Sequence, residues 1–343
     1  MPSITRRAVL GTAAAMPFAA AIAAPAPGSY GMVRRHSADL EAVISPDAVV
    51  EQVGWGFQWS EGPVWIKKDN CLLFSDPKAN TMYRWTPGTS GTTTFLTPSG
   101  LAGAANPLIR EAGSNGLTTD AAGNVVMCDS GSRNVARLNL TTKQKTVLAD
   151  KFEGKRFNSP NDLCVAKSGA IYFTDPPYGL ADLASSTLKE LPFSGVYRLD
   201  PNGAVTLIDK SLSFPNGVAL SADESVLFVT NSDSALPVLK AYNLGADGSA
   251  DAGEVVFNFK PLMAPDAKGN PDGLKVDEDG NIFVSGPGGI LVLSKDYTLL
   301  GVINVTGRTT SNCAFGEDGS TLFITASDIV AKVKLKTKGA NWA

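Results

Sequence analysis

The chain has 343 residues, with 30 Lys and Arg against 33 Asp and Glu, a formal net charge of −3 and a single histidine. No basic field exists to hold nucleic acid or an anionic membrane, so the expected partner is small and carries little charge. The lone histidine and the lack of a Gly-x-Ser-x-Gly sequence exclude covalent serine catalysis of the Ser-His-Asp kind.

At the N-terminus, Ser3-Ile4-Thr5-Arg6-Arg7 sets an arginine pair before an Ala-rich, moderately apolar stretch, and Ala21-Ile22-Ala23 offers the small residues a signal peptidase needs. Residues 1–24 therefore read as a twin-arginine-type signal peptide, which implies twin-arginine export machinery as a partner and a periplasmic or secreted location. The apolar run is too short and too weakly hydrophobic to span a membrane, and no other segment could. Residues 25–47 follow as an N-terminal arm without a strand partner, helical around Ala38 to Val43, and His36 falls within it.

From residue 48 to 343 the pattern is short β-branched or aromatic runs separated by Gly, Asp, Asn and Pro, an all-β signal. A polar residue followed by small or apolar ones opens each of six units, at Glu61, Asn115, Asn161, Asn216, Asp272 and Asn312. Their spacing, about 40 to 56 residues, is that of a four-stranded propeller blade. Asn115-Gly116-Leu117, the turn Asp120 to Asn124 and the run Val125 to Cys128 show the unit most clearly. The sixth unit lacks a fourth strand, while Ala48 to Val53 is a spare strand before the first unit. The fold class is thus a six-bladed β-propeller whose ring the N-terminal strand closes, removing an exposed edge. Cys71, Cys128, Cys164 and Cys313 sit singly in apolar runs and read as buried hydrophobes, with no zinc site and no disulfide expected.

In a propeller the first strand of each blade lines the central channel, so the opening residues converge at one mouth. Glu61, Asn161, Asn216 and Asp272 supply two carboxylates and two amide oxygens, a hard ligand set for one divalent metal ion, calcium before magnesium. One such Asn or Asp alone would read as a turn residue bonding its own backbone. Four at equivalent positions, with two carboxylates that repel unless neutralised, point to a metal. Asn115 and Asn312 line the channel beside them.

Ser60-Glu61-Gly62-Pro63-Val64-Trp65, Ser159-Pro160-Asn161-Asp162-Leu163, Phe214-Pro215-Asn216-Gly217 and Pro271-Asp272-Gly273-Leu274 resemble the gluconolactonase and senescence-marker-protein (regucalcin) lactonases. Gly154-Lys155-Arg156-Phe157-Asn158 and Phe173 to Gly179 are similar to the bacterial gluconolactonase branch, and the likeness covers roughly residues 48 to 338. The resemblance implies a six-bladed propeller, one calcium-type ion on Glu61, Asn161, Asn216 and Asp272, and hydrolysis of sugar lactones such as glucono-1,5-lactone. The expected chemistry is polarisation of the lactone carbonyl by the ion, with Asp272 as the base that activates water and Glu61 as the other candidate. Asn115, Arg156, Asp175 and Tyr178 are candidates to bind the sugar hydroxyls. Arg156 matches the family's arginine across a two-residue insertion relative to the animal proteins and reads equally as a solvated loop residue. The insert Leu180 to Phe193 is expected to form a rim over the channel that sets specificity. Two other readings stand beside this one: a phosphotriesterase of the diisopropyl fluorophosphatase kind, and a non-enzymatic binding propeller with a structural ion.

Overall fold

The structure is a computed structural model that describes residues 28–340 and Trp342. The expected signal peptide lies outside the described residues. Six antiparallel sheets follow one another round a ring. The first blade comprises Glu61–Ile66, Cys71–Asp76, Thr81–Trp85 and Thr93–Leu96, and the second Ser114–Thr119, Val125–Asp129, Asn134–Leu138 and Lys145–Ala149. The third comprises Leu163–Val165, Ile171–Asp175, Gly195–Leu199 and Val205–Asp209, and the fourth Pro215–Leu220, Val226–Asn231, Val238–Asn243 and Glu254–Asn258. The fifth uses Leu274–Val276, Ile282–Gly286, Gly289–Leu293 and Leu299–Val305, and the sixth Thr310–Gly316, Thr321–Ala326 and Ile329–Lys334.

The sixth blade's outer strand is Glu51–Trp55, which pairs antiparallel with Ile329–Lys334 and closes the ring, shifted a few residues toward the C-terminus of the expected run. The N-terminal arm differs from expectation. Gly31–Arg35 is a fifth, outermost strand on the fifth blade, with Gly31 opposite Val305 and Arg35 opposite Gly301. A short helix, Leu40–Val43, then crosses to the closing strand and buries Leu40 and Val43. Among the described residues no helix is long and apolar enough to cross a membrane.

The core lies between neighbouring blades. Val126 and Cys128 of the second blade meet Leu163, Phe173 and Tyr197 of the third, with Phe173 and Tyr197 stacked at 5.2 Å. Each such large side chain removed from water stabilises the fold by about 1.5–3 kcal/mol. All four cysteines are free, three of them fully buried.

Bulges shape the channel wall. In the first, second and fourth blades the register slips by one residue just where the inner strand begins, between Glu61 and Val64, Ser114 and Leu117, and Pro215 and Val218. A bulge there re-aims the opening side chain toward the axis. Glycine follows because the inner strands nearly touch: a Cβ on Gly62, whose φ is +50°, would lie 1.9 Å from the Asn115 carbonyl oxygen. Gly116, Gly217 and Gly273 meet the next blade in the same way. The third and sixth blades, opposite each other in the ring, carry Asp162 and Cys313 at this place. Hydroxyls at the ends of second strands tie each blade to its neighbour, as when Thr174 donates to the Asn216 carbonyl and Thr230 to that of Asp272 (2.8 Å).

Candidate active site

The inner-strand starts open into one cavity of about 340 Å³ at one mouth of the channel, and Glu61, Asn115, Asn161, Asn216 and Asp272 all line it. Each is buried or nearly so. Burial pushes the Glu61 carboxyl up to about 8, against the Gly62 N–H that donates to it and with the nearby charge of Asp162 adding to the rise. Burial, then the charge of Glu61, holds Asp272 well above the usual carboxylate range. Two buried acids lining one cavity each disfavour the other's ionisation unless a cation compensates.

The amides are oriented to accept a cation. Asn216 Nδ2 donates to Ser232 Oγ at 2.9 Å, and that hydroxyl donates in turn to the Pro271 carbonyl. The network therefore turns Asn216 Oδ1 toward the cavity, where it is buried and receives no hydrogen bond among the described residues. Asp272 Oδ1 is in the same condition. Buried polar atoms ordinarily find partners, so two orphaned acceptors beside Glu61 and Asn161 fit a hard divalent cation. Among the described residues no group of three His, Cys, Asp or Glu side chains forms a metal cluster, so such an ion would depend on the asparagine carbonyls as much as on the carboxylates.

Beneath this layer the channel has a polar floor. Asn312 Nδ2 donates across the axis to Asp162 Oδ2 at 3.3 Å, and Lys275 Nζ donates to the Leu274 carbonyl while lying 3.5 Å from Asn312 Oδ1. Lys275 lines the opposite mouth, which the C-terminal segment covers through Gly339, Ala340 and Trp342.

Tyr178 also reaches the cavity, with its ring 5.3 Å from Phe214 and its hydroxyl beside Ser232. Arg156 and Asp175 do not. Arg156 sits on a small hairpin, Lys151–Phe152 with Lys155–Arg156, and donates through Nη2 to the Ser132 carbonyl at 2.6 Å. Asp175 is buried in the wall, where its carboxylate accepts the backbone N–H groups of Asn158 and Ser159, each at 2.8 Å. Burial pushes it up to about 7 despite those donors. Asp76 in the first blade and Asn231 in the fourth hold their own preceding loops in the same way, at 2.7 Å to the Gln58 N–H and 2.9 Å to that of Phe214. Asp175 is thus a repeated loop clamp. Residues 180–193 leave the cavity as well: Leu191 packs in the core, and Lys189 donates to Asn158 Oδ1 at 3.2 Å.

The cavity's outer wall comes from residues that lie outside the repeat: Trp59, Lys78, Arg110 and Glu111. Lys78 sits over the Trp59 ring at 4.9 Å. Arg110 and Glu111 belong to the connection between the first and second blades, and no repeated spacing marks them. His36 is remote from the site, its backbone N–H bonded to the Leu300 carbonyl at 2.8 Å.

Residues 59–328 match the family model described as the SMP-30/Gluconolactonase/LRE-like region. A gluconolactonase of Zymomonas mobilis is 45% identical over 317 residues, covering 91% of this chain and 88% of that protein. A pentonolactonase of Haloferax volcanii is 25% identical over 274 residues, covering 78% of this chain and 81% of that protein. Among solved structures, a gluconolactonase of Xanthomonas campestris superposes with a TM-score of 0.75 at 32% identity, covering 92% of this chain and 98% of the other. With the propeller, the converging inner strands and these matches together, the chain belongs to the SMP-30/gluconolactonase/LRE-like family.

Proposed function

We propose that this protein hydrolyses aldonolactones such as glucono-1,5-lactone to the open aldonic acids, using one divalent ion, calcium, held by Glu61, Asn161, Asn216 and Asp272. It is a lactone hydrolase, and so a carboxylic ester hydrolase, as the names of its relatives indicate. The observation that carries the metal-dependent reading is the pair of buried, unpartnered acceptors, Asn216 Oδ1 and Asp272 Oδ1, facing one cavity with Glu61.

A bound divalent ion supplies Lewis-acid stabilisation of the charge that develops on a lactone carbonyl oxygen. The chain's own residues do the rest. Asp272, through the carboxylate oxygen that a monodentate ligand leaves free of the ion, takes a proton from the attacking water, with Glu61 as the other base in reach of the cavity. The ring C–O bond then breaks, and the same carboxyl returns its proton to the departing ring oxygen. Ser232 holds the Asn216 amide in orientation throughout, and Asn115 and Tyr178 face the space where sugar hydroxyls lie.

Proton release from glucono-1,5-lactone, followed with an indicator in weak buffer and corrected for spontaneous hydrolysis, tests this on chelator-stripped protein with and without added calcium. Activity lost on stripping, restored by calcium and absent in Asp272→Ala is the expected result. A folded, calcium-loaded protein with no rate above background would overturn it, and turnover of an organophosphate instead would move the assignment to phosphotriesterase. We further propose that the protein acts in the periplasm or outside the cell, on the strength of Arg6-Arg7 and the small-residue site Ala21-Ile22-Ala23. Fractionation of cells expressing the chain with Arg6-Arg7 replaced by Lys-Lys should leave it in the cytoplasm, and unchanged export would refute the assignment.

A further inference from the structure

Glu111 is a buried carboxylate on the cavity wall, 7% exposed, that the proposed metal set does not use. Its Oε1 accepts from Arg110 Nη2 at 2.8 Å, and Oε2 has no donor among the described residues. The pair is built in rather than loosely displayed. Arg110 Nε donates to the Tyr178 carbonyl at 2.8 Å, the backbone N–H groups of Arg110 and Glu111 both reach the Gly179 carbonyl at 2.8 and 3.2 Å, and Ile109 bridges to Leu180. Two loops from different blades are thereby stitched into one wall that carries Arg110, Glu111 and Tyr178 together. That wall faces the orphaned ligands across the cavity, close enough for the charge of Glu111 to act on Asp272.

We infer that Glu111 and Arg110 form a hydroxyl-binding subsite that reads the polyhydroxylated ring of the substrate. A hydroxyl group both donates and accepts, and this pair presents one free carboxylate oxygen beside a guanidinium whose Nη1 is likewise unbonded among the described residues. Two neighbouring hydroxyls on a ring match that acceptor and donor at once, whereas an unsubstituted lactone ring has no hydroxyl to donate to the carboxylate. Hydrogen bonds to charged groups are the strong class, so the pair confers selectivity for polyhydroxylated over plain lactones.

This inference rests on the lactonase reading for its substrate class, but its test does not depend on turnover. Calorimetry on the calcium-loaded protein compares two non-hydrolysable rings, D-glucono-1,5-lactam and δ-valerolactam. The unmodified protein is expected to prefer the gluconolactam, and Glu111→Ala to cut that preference about tenfold or more. Glu111→Gln, which keeps the shape and one acceptor, should retain part of it. A preference that stays unchanged in both variants, or is absent from the unmodified protein, would overturn the subsite. A preference that Glu111→Ala removes, in a protein that turns over no lactone, would leave the subsite standing while the hydrolytic assignment falls.

Discussion

Asp272 and Asn216 each hold a buried oxygen with no partner among the described residues, a costly arrangement that fits the proposed cation site. Replacing Asp272 by Asn keeps the shape but removes the proposed base and half of the ligand set's negative charge, so kcat for glucono-1,5-lactone should fall by about 100-fold or more while circular dichroism stays native. Ser232 contacts no substrate atom in this reading, yet it fixes the Asn216 amide. Ser232→Ala should weaken calcium binding by about 10- to 100-fold in an isothermal titration, the usual effect of losing a group that orients a ligand. Because burial raises Glu61 to about 8 and Asp272 well above its ordinary range, the ion-free folded state binds protons that the unfolded chain releases. Apo stability is therefore expected to fall as pH rises from about 4.5 through about 8, and calcium bound at the proposed site would displace those protons. Calcium added to weakly buffered apo-protein at about pH 7 should release at least a proton per ion, and markedly less at about pH 9.5. Equal release at both would contradict the raised carboxyls.

At the scale of strands, the ring is set by close approach of inner strands, and Gly62 is where the constraint is tightest, with a positive φ and a backbone carbonyl 1.9 Å from any added Cβ. Gly62→Ala should cost about 3 kcal/mol or more in urea unfolding, since both the dihedral and the contact oppose the methyl group. The blades were legible in the sequence because each repeats the same polar opening, turn and apolar run, and the spare strand was legible because one blade lacked its fourth. Gly31–Arg35 was not, since its partner, Leu299–Val305, is remote in the chain and no hairpin turn announces the pairing. The same distinction governs the site. Glu61, Asn161, Asn216 and Asp272 hold repeat positions and so meet in one cavity, while Lys78, Arg110 and Glu111 arrive on loops whose path only the folded ring fixes. Arg156 and Asp175 mislead from sequence because a polar residue near a motif can as easily clamp a loop as face a ligand.

For the molecule as a whole, the four proposed ligands come from the first, third, fourth and fifth blades, so an ion held there joins most of the ring at its hub. Calcium at about 100 times its Kd should add about 2.7 kcal/mol to stability, and the thermal midpoint of stripped protein should rise by about 4 °C when the ion is returned. Asp272→Ala should abolish most of that rise, and a midpoint indifferent to calcium would show that the ion does not bridge the blades.

The closing strand carries a consequence for how the chain reaches this state. Ser60 donates to the Ile329 carbonyl across 269 positions, and Glu51 waits for Lys332. During synthesis the N-terminal strand emerges long before its partner exists, so the seam is the last contact to form and the one with the largest loop-closure cost. Until the final blade appears, an unpaired strand edge remains open at each end of the growing arc, and two such arcs can pair with each other as readily as either can pair with itself. Refolding at high protein concentration is therefore expected to yield strand-exchanged chains that dilution suppresses, as size-exclusion chromatography of a dilution series would show.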